Sequence, residues 1–306
     1  MNKLEQIIKH FDQTQQRHKA SGFTVAVIKK YGEDEAGQRA ALLTYYGFLS
    51  LFPLLLLLTT LTNDLVGRNS HVGVTVIRSI TDYFPLLGSQ LSSHVSGLHK
   101  NGLALAAGII FTLYGTRGVA DAFRHGVQHI WLIPKNKQDK FPESLMKSLA
   151  LIIIGGLGFI AASIISGFAA SAGHGLGFRV LSVIINLFIL FWLFEFLLNF
   201  SLPKHVTVKE TRAGAATAAI GLVLLQTLGT YLLAKELKSL DALYSYFALA
   251  LGILFWIYLQ AQILYYAAEI AVVSSHRLYP RSLTPHHPTA ADERLAVYSV
   301  LQAKEL

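Results

Sequence analysis

Arg117, Asp121 and Arg124 form the group in this chain most suggestive of chemistry. On a helix, Arg117 and Asp121 stand at i, i+4 and Asp121 and Arg124 at i, i+3, so both arginines can pair with one acid. Guanidinium groups near membrane depth suit phosphate headgroups; the plainer reading is a helix-end cluster reaching for interfacial water. Asp121, His125 and His129 repeat at i, i+4, i+8 and set three metal-ligand types on one face. Twelve histidines make that spacing common by chance, and a metal site needs supporting ligands and partners behind them. The spacing alone therefore assigns no metal, and no cofactor is expected.

Glu195 is the sole Asp, Glu, Lys or Arg between 180 and 201. It precedes Pro203 by about two turns, roughly 12 Å along a helix. A lone carboxylate at membrane depth costs roughly 2.5–3.5 kcal/mol, so it must be protonated, paired or turned toward a wet cavity. Asn199, one turn on, shares its face. The two readings are a substrate contact in a polar cavity and a neutral, hydrogen-bonded packing residue. Tyr45, Tyr46 and Ser50, then Tyr258, Gln260, Gln262 and Glu269, add polarity to apolar segments. Glu195, Asn199, Arg117, Asp121, Arg124, Tyr45, Tyr258 and Glu269 are expected to face a polar intramembrane cavity that binds substrate. No residue is assigned to catalysis: the chain has no Walker A, G-x-S-x-G or H-E-x-x-H motif and no cysteine.

The elements that must position these groups are apolar helices. Of 306 residues, 53% are hydrophobic and 14% charged, against roughly a quarter charged in soluble domains. Residues 40–63, 101–116, 148–178, 213–234 and 242–268 hold no Asp, Glu, Lys or Arg, and about 20 apolar residues suffice for a helical crossing. This excludes a soluble protein. The expected fold is all-α and polytopic, with six spans near 41–61, 102–123, 148–170, 180–201, 213–234 and 245–268 forming a membrane domain over 40–270. Pro53 predicts a kink in the first span. The second apolar run, about 24 Å as helix, is short of the ~30 Å hydrocarbon core, so the helix must continue through Arg117 and Asp121 or the bilayer must thin. Gly155, Gly156 and Gly158, then Gly214, Ala218 and Gly221, predict close helix packing.

Residues 1–39 read as an amphipathic cytoplasmic segment. Leu4, Ile7, Ile8 and Phe11 form a surface-lying stripe, and Gly32 with Glu33, Asp34 and Glu35 breaks the helix before the first span. Val72, Val74, Ile77, Ile80 and Phe84 predict further interfacial helices at the outer side. Residues 271–306 read as a cytoplasmic tail, with Pro280, Pro285 and Pro288 marking an extended linker and a short helix beginning at Ala290. Placing both ends in the cytoplasm, with Arg117 at the inner edge of its span, puts 20 of the 26 Lys and Arg on that side. The basic excess thus follows membrane orientation, and with no concentrated basic patch interleaved with aromatics, no nucleic-acid partner is expected.

The stretch AALLTYYGFLSLFPLL from Ala40 closely resembles the first-span signature of the YihY/BrkB family of bacterial inner-membrane proteins. His129-Ile130-Trp131 with Pro134, Leu202-Pro203-Lys204 followed by Ala213-Gly214-Ala215, and Trp256-x-Tyr258 with Ala268-Glu269 are similar to later family segments in order. His129, Ser245 and Ala267 depart from the usual Asn, Gly and Gly. The resemblance covers about residues 35–275. It implies an inner-membrane, multi-pass protein with no settled biochemical activity, in a family that has carried a ribonuclease BN label regarded as misassigned and a virulence-factor label; no enzyme activity is expected. Family links to envelope and lipopolysaccharide-precursor handling imply membrane lipids as partners, anionic or precursor lipids among them. The expected function is movement or accommodation of a lipid or lipid-linked precursor. The alternatives are a scaffold for envelope-assembly partners, with or without self-association, and a membrane-embedded metal-dependent enzyme using Asp121, His125 and His129.

Overall fold

In the computed structural model, residues 10, 12–65, 102–134, 137–140, 142–171, 176–204, 206–236, 242–283 and 288–304 are described. The stripe at Leu4, Ile7, Ile8 and Phe11, the small-residue loop before residue 176, and the outer interfacial helices of 66–100 lie outside them. Every regular element among the described residues is helical: α1 (Lys19–Glu33), α2 (Ala36–Leu65), α3 (Gly102–Ile130), α4 (Glu143–Ser171), α5 (Leu176–Ser201), α6 (Val208–Glu236), α7 (Ala242–Ser275) and α8 (Ala290–Lys304).

Each expected span lies within one of α2 to α7, and most of these helices run past it. Four stretches among the described residues are long and apolar enough to cross a bilayer: Glu143–Ala162, Val180–Ser201, Val208–Gly229 and Ala250–Ser275. The first and second expected spans fall in α2 and α3, helices of 30 and 29 residues. α2 continues through Pro53 without a break in its helical assignment. The short second apolar run is resolved by length: α3 passes through Arg117 and Asp121 and ends at Ile130.

The long helices alternate in direction. Lys30 beside α2 bonds the last carbonyl of α3, at Ile130, at 2.8 Å; Gln128 of α3 bonds Ser201 O of α5 at 2.9 Å; Arg124 of α3 bonds Ser144 of α4. The starts of α2 and α4 and the ends of α3, α5 and α7 therefore gather at one end of the bundle. Small residues set its spacing. A Cβ on Gly214 of α6 would fall 2.4 Å from the Ala267 carbonyl of α7, so those backbones touch in a way only glycine allows. Large apolar side chains such as Ile153, Leu157, Phe188, Trp192, Leu224 and Phe255 point outward, as lipid-facing surfaces do.

Both flanking segments pack on this same end. α1 stops at Glu33, and Glu35 turns the chain into α2 with φ 51. The chain beyond α7, expected as an extended linker, is held against the bundle where it is described. α7 persists to Ser275, and residues 281–283 fold back onto α1 and the segment before it. Gln15 donates to the Arg281 carbonyl at 2.8 Å, and Asp12 accepts from the Leu283 N–H at 2.9 Å and from Ser282 Oγ at 3.1 Å. The hydrogen bonds that dock residues 281–283 come from a segment more than 260 residues away. Thr289 and Asp292 then form a capping box that starts α8, Thr289 N–H to Asp292 Oδ2 at 3.0 Å and Asp292 N–H to Thr289 Oγ1 at 3.3 Å.

Candidate functional site

A cavity of about 340 Å³ lies between α2, α3, α4, α5 and α7. Leu43, Gly47 and Leu51 form one wall and Val119, Ala120 and Phe123 the next; Ile152, Gly156 and Phe159 face Phe194, Leu197 and Ile257. Ser50, Thr116 and Gln260 are its polar side chains. Gly156 is where the cavity is roomiest on α4, since a Cβ there would meet nothing within 4 Å. The volume falls in the usual range for a ligand pocket, roughly 300–1,000 Å³.

The residues expected to bind substrate lie away from this cavity. None of Glu195, Asn199, Arg117, Asp121, Arg124, Tyr45, Tyr258 or Glu269 lines it. Those residues divide among separate places. Tyr45 is 58% exposed on the bundle surface. Tyr258 is half-buried, with its hydroxyl near Gly37 at the start of α2. The physical reason is simple. In a helix bundle of this size, charges are cheapest where they meet a counter-charge near an end, and the volume at mid-depth is left to hydrocarbon.

The α3 cluster forms a clamp at the base of α4. Arg124 is fully buried and donates to Asp121 at 3.3 Å, to Asp139 at 3.1 Å and to Ser144. Ser148 donates to Asp121, and Lys147 pairs with Asp139 and with Glu143 at 3.2 Å. Arg117, 45% exposed, meets Asp121 at 3.4 Å. Both helical spacings read from the sequence are ion pairs, but Asp139, Ser144 and Ser148 complete the set from the next loop and helix. Ser148 sits one turn before Leu151, which lines the cavity. His125 and His129 are exposed. Among the described residues no three His, Asp or Glu side chains converge as metal ligands would, so the i, i+4, i+8 stripe does not assemble with others.

Glu195 is buried in α5 and its Oε1 accepts from Arg212 Nε of α6 at 3.2 Å. Its Oε2 is buried without a hydrogen-bond partner. Asn199 turns instead to the Val206 carbonyl at 3.4 Å, bracing the α5–α6 turn. Arg212 was missed in the sequence although a signal existed. Glu195 and Arg212 lie nearly equidistant from Pro203, and the two arms of a helical hairpin bring such positions level.

Glu269 is fully buried in α7 and pairs at 3.0 Å with Lys30, itself 1% exposed, from α1. Lys30 also contacts Asp34. Lys30 too was missed, though it lies three and four residues after Val27 and Ala26 on the buried face of α1.

The sequence model of the virulence factor BrkB family matches residues 27–292. The ribonuclease-like protein YfkH of Bacillus subtilis (strain 168) is 23% identical over 281 residues, covering 87% of this chain and 99% of that protein. No solved structure matches. The family match takes in the whole helical bundle, the cavity and the docked residues 281–283 after α7, and on that ground the chain belongs to the virulence factor BrkB family.

Proposed function

We propose that this membrane protein accommodates the hydrocarbon chain of a bilayer lipid in the cavity between α2, α3, α4, α5 and α7, and so handles lipids or lipid-linked envelope precursors in the bacterial inner membrane. The observation that carries this reading is the character of the cavity, about 340 Å³ with three polar side chains on its wall, set among helices whose outer faces are apolar. A surrounding bilayer supplies hydrocarbon chains at that depth, and an apolar pocket accepts them with no desolvation cost. Phosphate recognition at the cavity wall is not part of the reading, because the buried cation Arg124 is committed to ion pairs outside it. The basic bias toward the end where α1 and α8 dock supports a cytoplasmic position for that end.

A ribonuclease reading, taken from the name of the Bacillus relative, would want a metal or acid–base group over a basic, aromatic RNA-binding face. The acids among the described residues go mainly into ion pairs that hold helices together, and nothing favours that reading over the lipid one. Native mass measurement of protein extracted in mild detergent tests the proposal: retained lipid is expected on the wild type and a several-fold loss on Gly156→Phe, which fills the cavity. The same variant should slow transfer of tail-labelled lipid in reconstituted vesicles. Equal lipid retention by both proteins overturns the reading.

A further inference from the structure

Lys30, Asp34 and Glu269 place one cation between two acids at the junction of α1, α3 and α7. Glu269 is fully buried, the Lys30 side chain is 1% exposed and that of Asp34 12%. Lys30 Nζ is shared three ways: with Glu269 Oε2 at 3.0 Å, with Asp34, and with the Ile130 carbonyl at 2.8 Å. Glu269 Oε1 is buried and makes no hydrogen bond. Were both acids ionised, the trio would hold a net negative charge with a bare carboxylate oxygen out of water, which is among the costliest arrangements in a protein.

We infer that Glu269 is a proton-binding site, in which Oε1 takes a proton from water at this end of the bundle while Lys30 stays charged between Asp34 and the Ile130 carbonyl. The geometry supplies a route, since Asp34 reaches the surface and touches the same ammonium group. The surroundings fit on each side. From α1, Tyr31 stacks on Tyr266 of α7 at 3.9 Å and its hydroxyl is buried without a partner. From α2, Arg39 donates to the Asp34 carbonyl at 3.3 Å and not to its carboxylate. From α3, His129 lies exposed within electrostatic reach of Lys30 and Asp34. Just past the end of α7, His276 lies within electrostatic reach of Lys30 and of Glu210 from α6.

Proton binding changes what holds α1 to α7. With Glu269 ionised, Lys30 bridges the two helices by an ion pair. With the proton on Oε1, that attraction falls and Lys30 is held mainly by Asp34 and the end of α3. The site therefore links proton occupancy to the joint between the N-terminal helix and the bundle. It stands apart from the lipid reading, because no cavity residue takes part.

Infrared titration of the full-length protein in nanodiscs tests it. The wild type should show the carbonyl stretch of a protonated carboxylic acid at neutral pH, titrating away as pH rises. Glu269→Gln should lose that band, Glu195→Gln should keep it, and Lys30→Met should move its disappearance to higher pH, because the neighbouring cation that favours ionisation is gone. Glu269→Gln, which mimics the protonated acid, should also melt with the wild type near neutral pH. A wild type without the band, a band that survives Glu269→Gln, or a band removed by sodium or potassium at fixed pH would each overturn the proton assignment, the last in favour of a metal cation. Lipid movement is not read in any of these measurements, so either proposal can fail alone.

Discussion

Arg281 and Glu33, separated by 248 positions in the chain, meet in a two-pronged ion pair, Nη1 to Oε2 at 2.6 Å and Nη2 to Oε1 at 3.1 Å. Arg281 Nε also donates to Asp292 at 2.9 Å, and Lys29 approaches the same acid at 3.4 Å. One guanidinium thus fastens α1, the segment after α7 and the start of α8 into a single cap on the bundle. The planar fork suits this task in a way lysine does not.

Arg281→Ala should therefore release both ends together. Arg281 is nearly buried while Glu33 is 42% exposed, so the loss should be about 1–2 kcal/mol, below the 3–5 kcal/mol of a fully buried broken pair. Faster hydrogen exchange in both α1 and α8 is the expected result. Faster exchange confined to α8 would mean that α1 is held by the Lys30 joint alone.

The cap should be stable to mild acid and lost in strong acid. Burial opposes the charge of Asp292, but the Ser282 and Thr289 N–H groups, the Thr289 hydroxyl and Arg281 outweigh it and hold its carboxyl below the usual range. Asp12 is likewise burdened by burial and held below its ordinary value by the Leu283 N–H, Gln15, Gln16 and Ser282. Groups with depressed folded values stabilise above their unfolded pKa, about 3.9 for Asp, and lose that stabilisation as pH falls through the folded value. Trp131, whose carbonyl accepts from Tyr298 of α8 at 3.3 Å, is the reporter. With Trp192 and Trp256 replaced by Phe, its emission should hold steady from neutral pH to about 5 and change below about 4. Asp292→Asn should start from the changed signal.

Arg212→Ala should cost more than its surface position suggests. Its side chain is 54% exposed, but the Glu195 carboxylate it serves is 3% exposed and would be left buried with neither oxygen paired. A loss of about 1–3 kcal/mol is expected. Glu195→Gln in the same chain should recover most of it, as a double-mutant cycle in thermal melts would measure. Additive losses would show that the two residues do not support each other.

Two glycines should respond in opposite ways to alanine. A Cβ on Gly118 would fall 2.4 Å from the Tyr46 ring, whereas on Gly156 it meets open space. Gly118→Ala should destabilise by about 1–3 kcal/mol through overpacking, and Tyr46→Leu should relieve it. Gly156→Ala should be neutral, or stabilising by about 0.4–1 kcal/mol through lost unfolded-state freedom. Melting temperatures of the three variants decide the matter.

Local spacing alone determined a good deal. Apolar runs with little or no charge placed the helices α2 to α7, the acidic break after Gly32 placed the turn into α2, and i, i+3 and i, i+4 positions paired Asp121 with both arginines, because each is a property of a helix by itself. The tertiary structure decided what those helices share. Lys30 meets Glu269 across 239 positions, Arg212 meets Glu195 only because α5 and α6 run antiparallel, and the tail docks because Asp12 and Glu33 wait at the other end of the chain. The cavity is the clearest case. A pocket's lining depends on how five helices are rotated against one another, which no single helix's spacing reports, and here the side chains facing the void are mostly apolar.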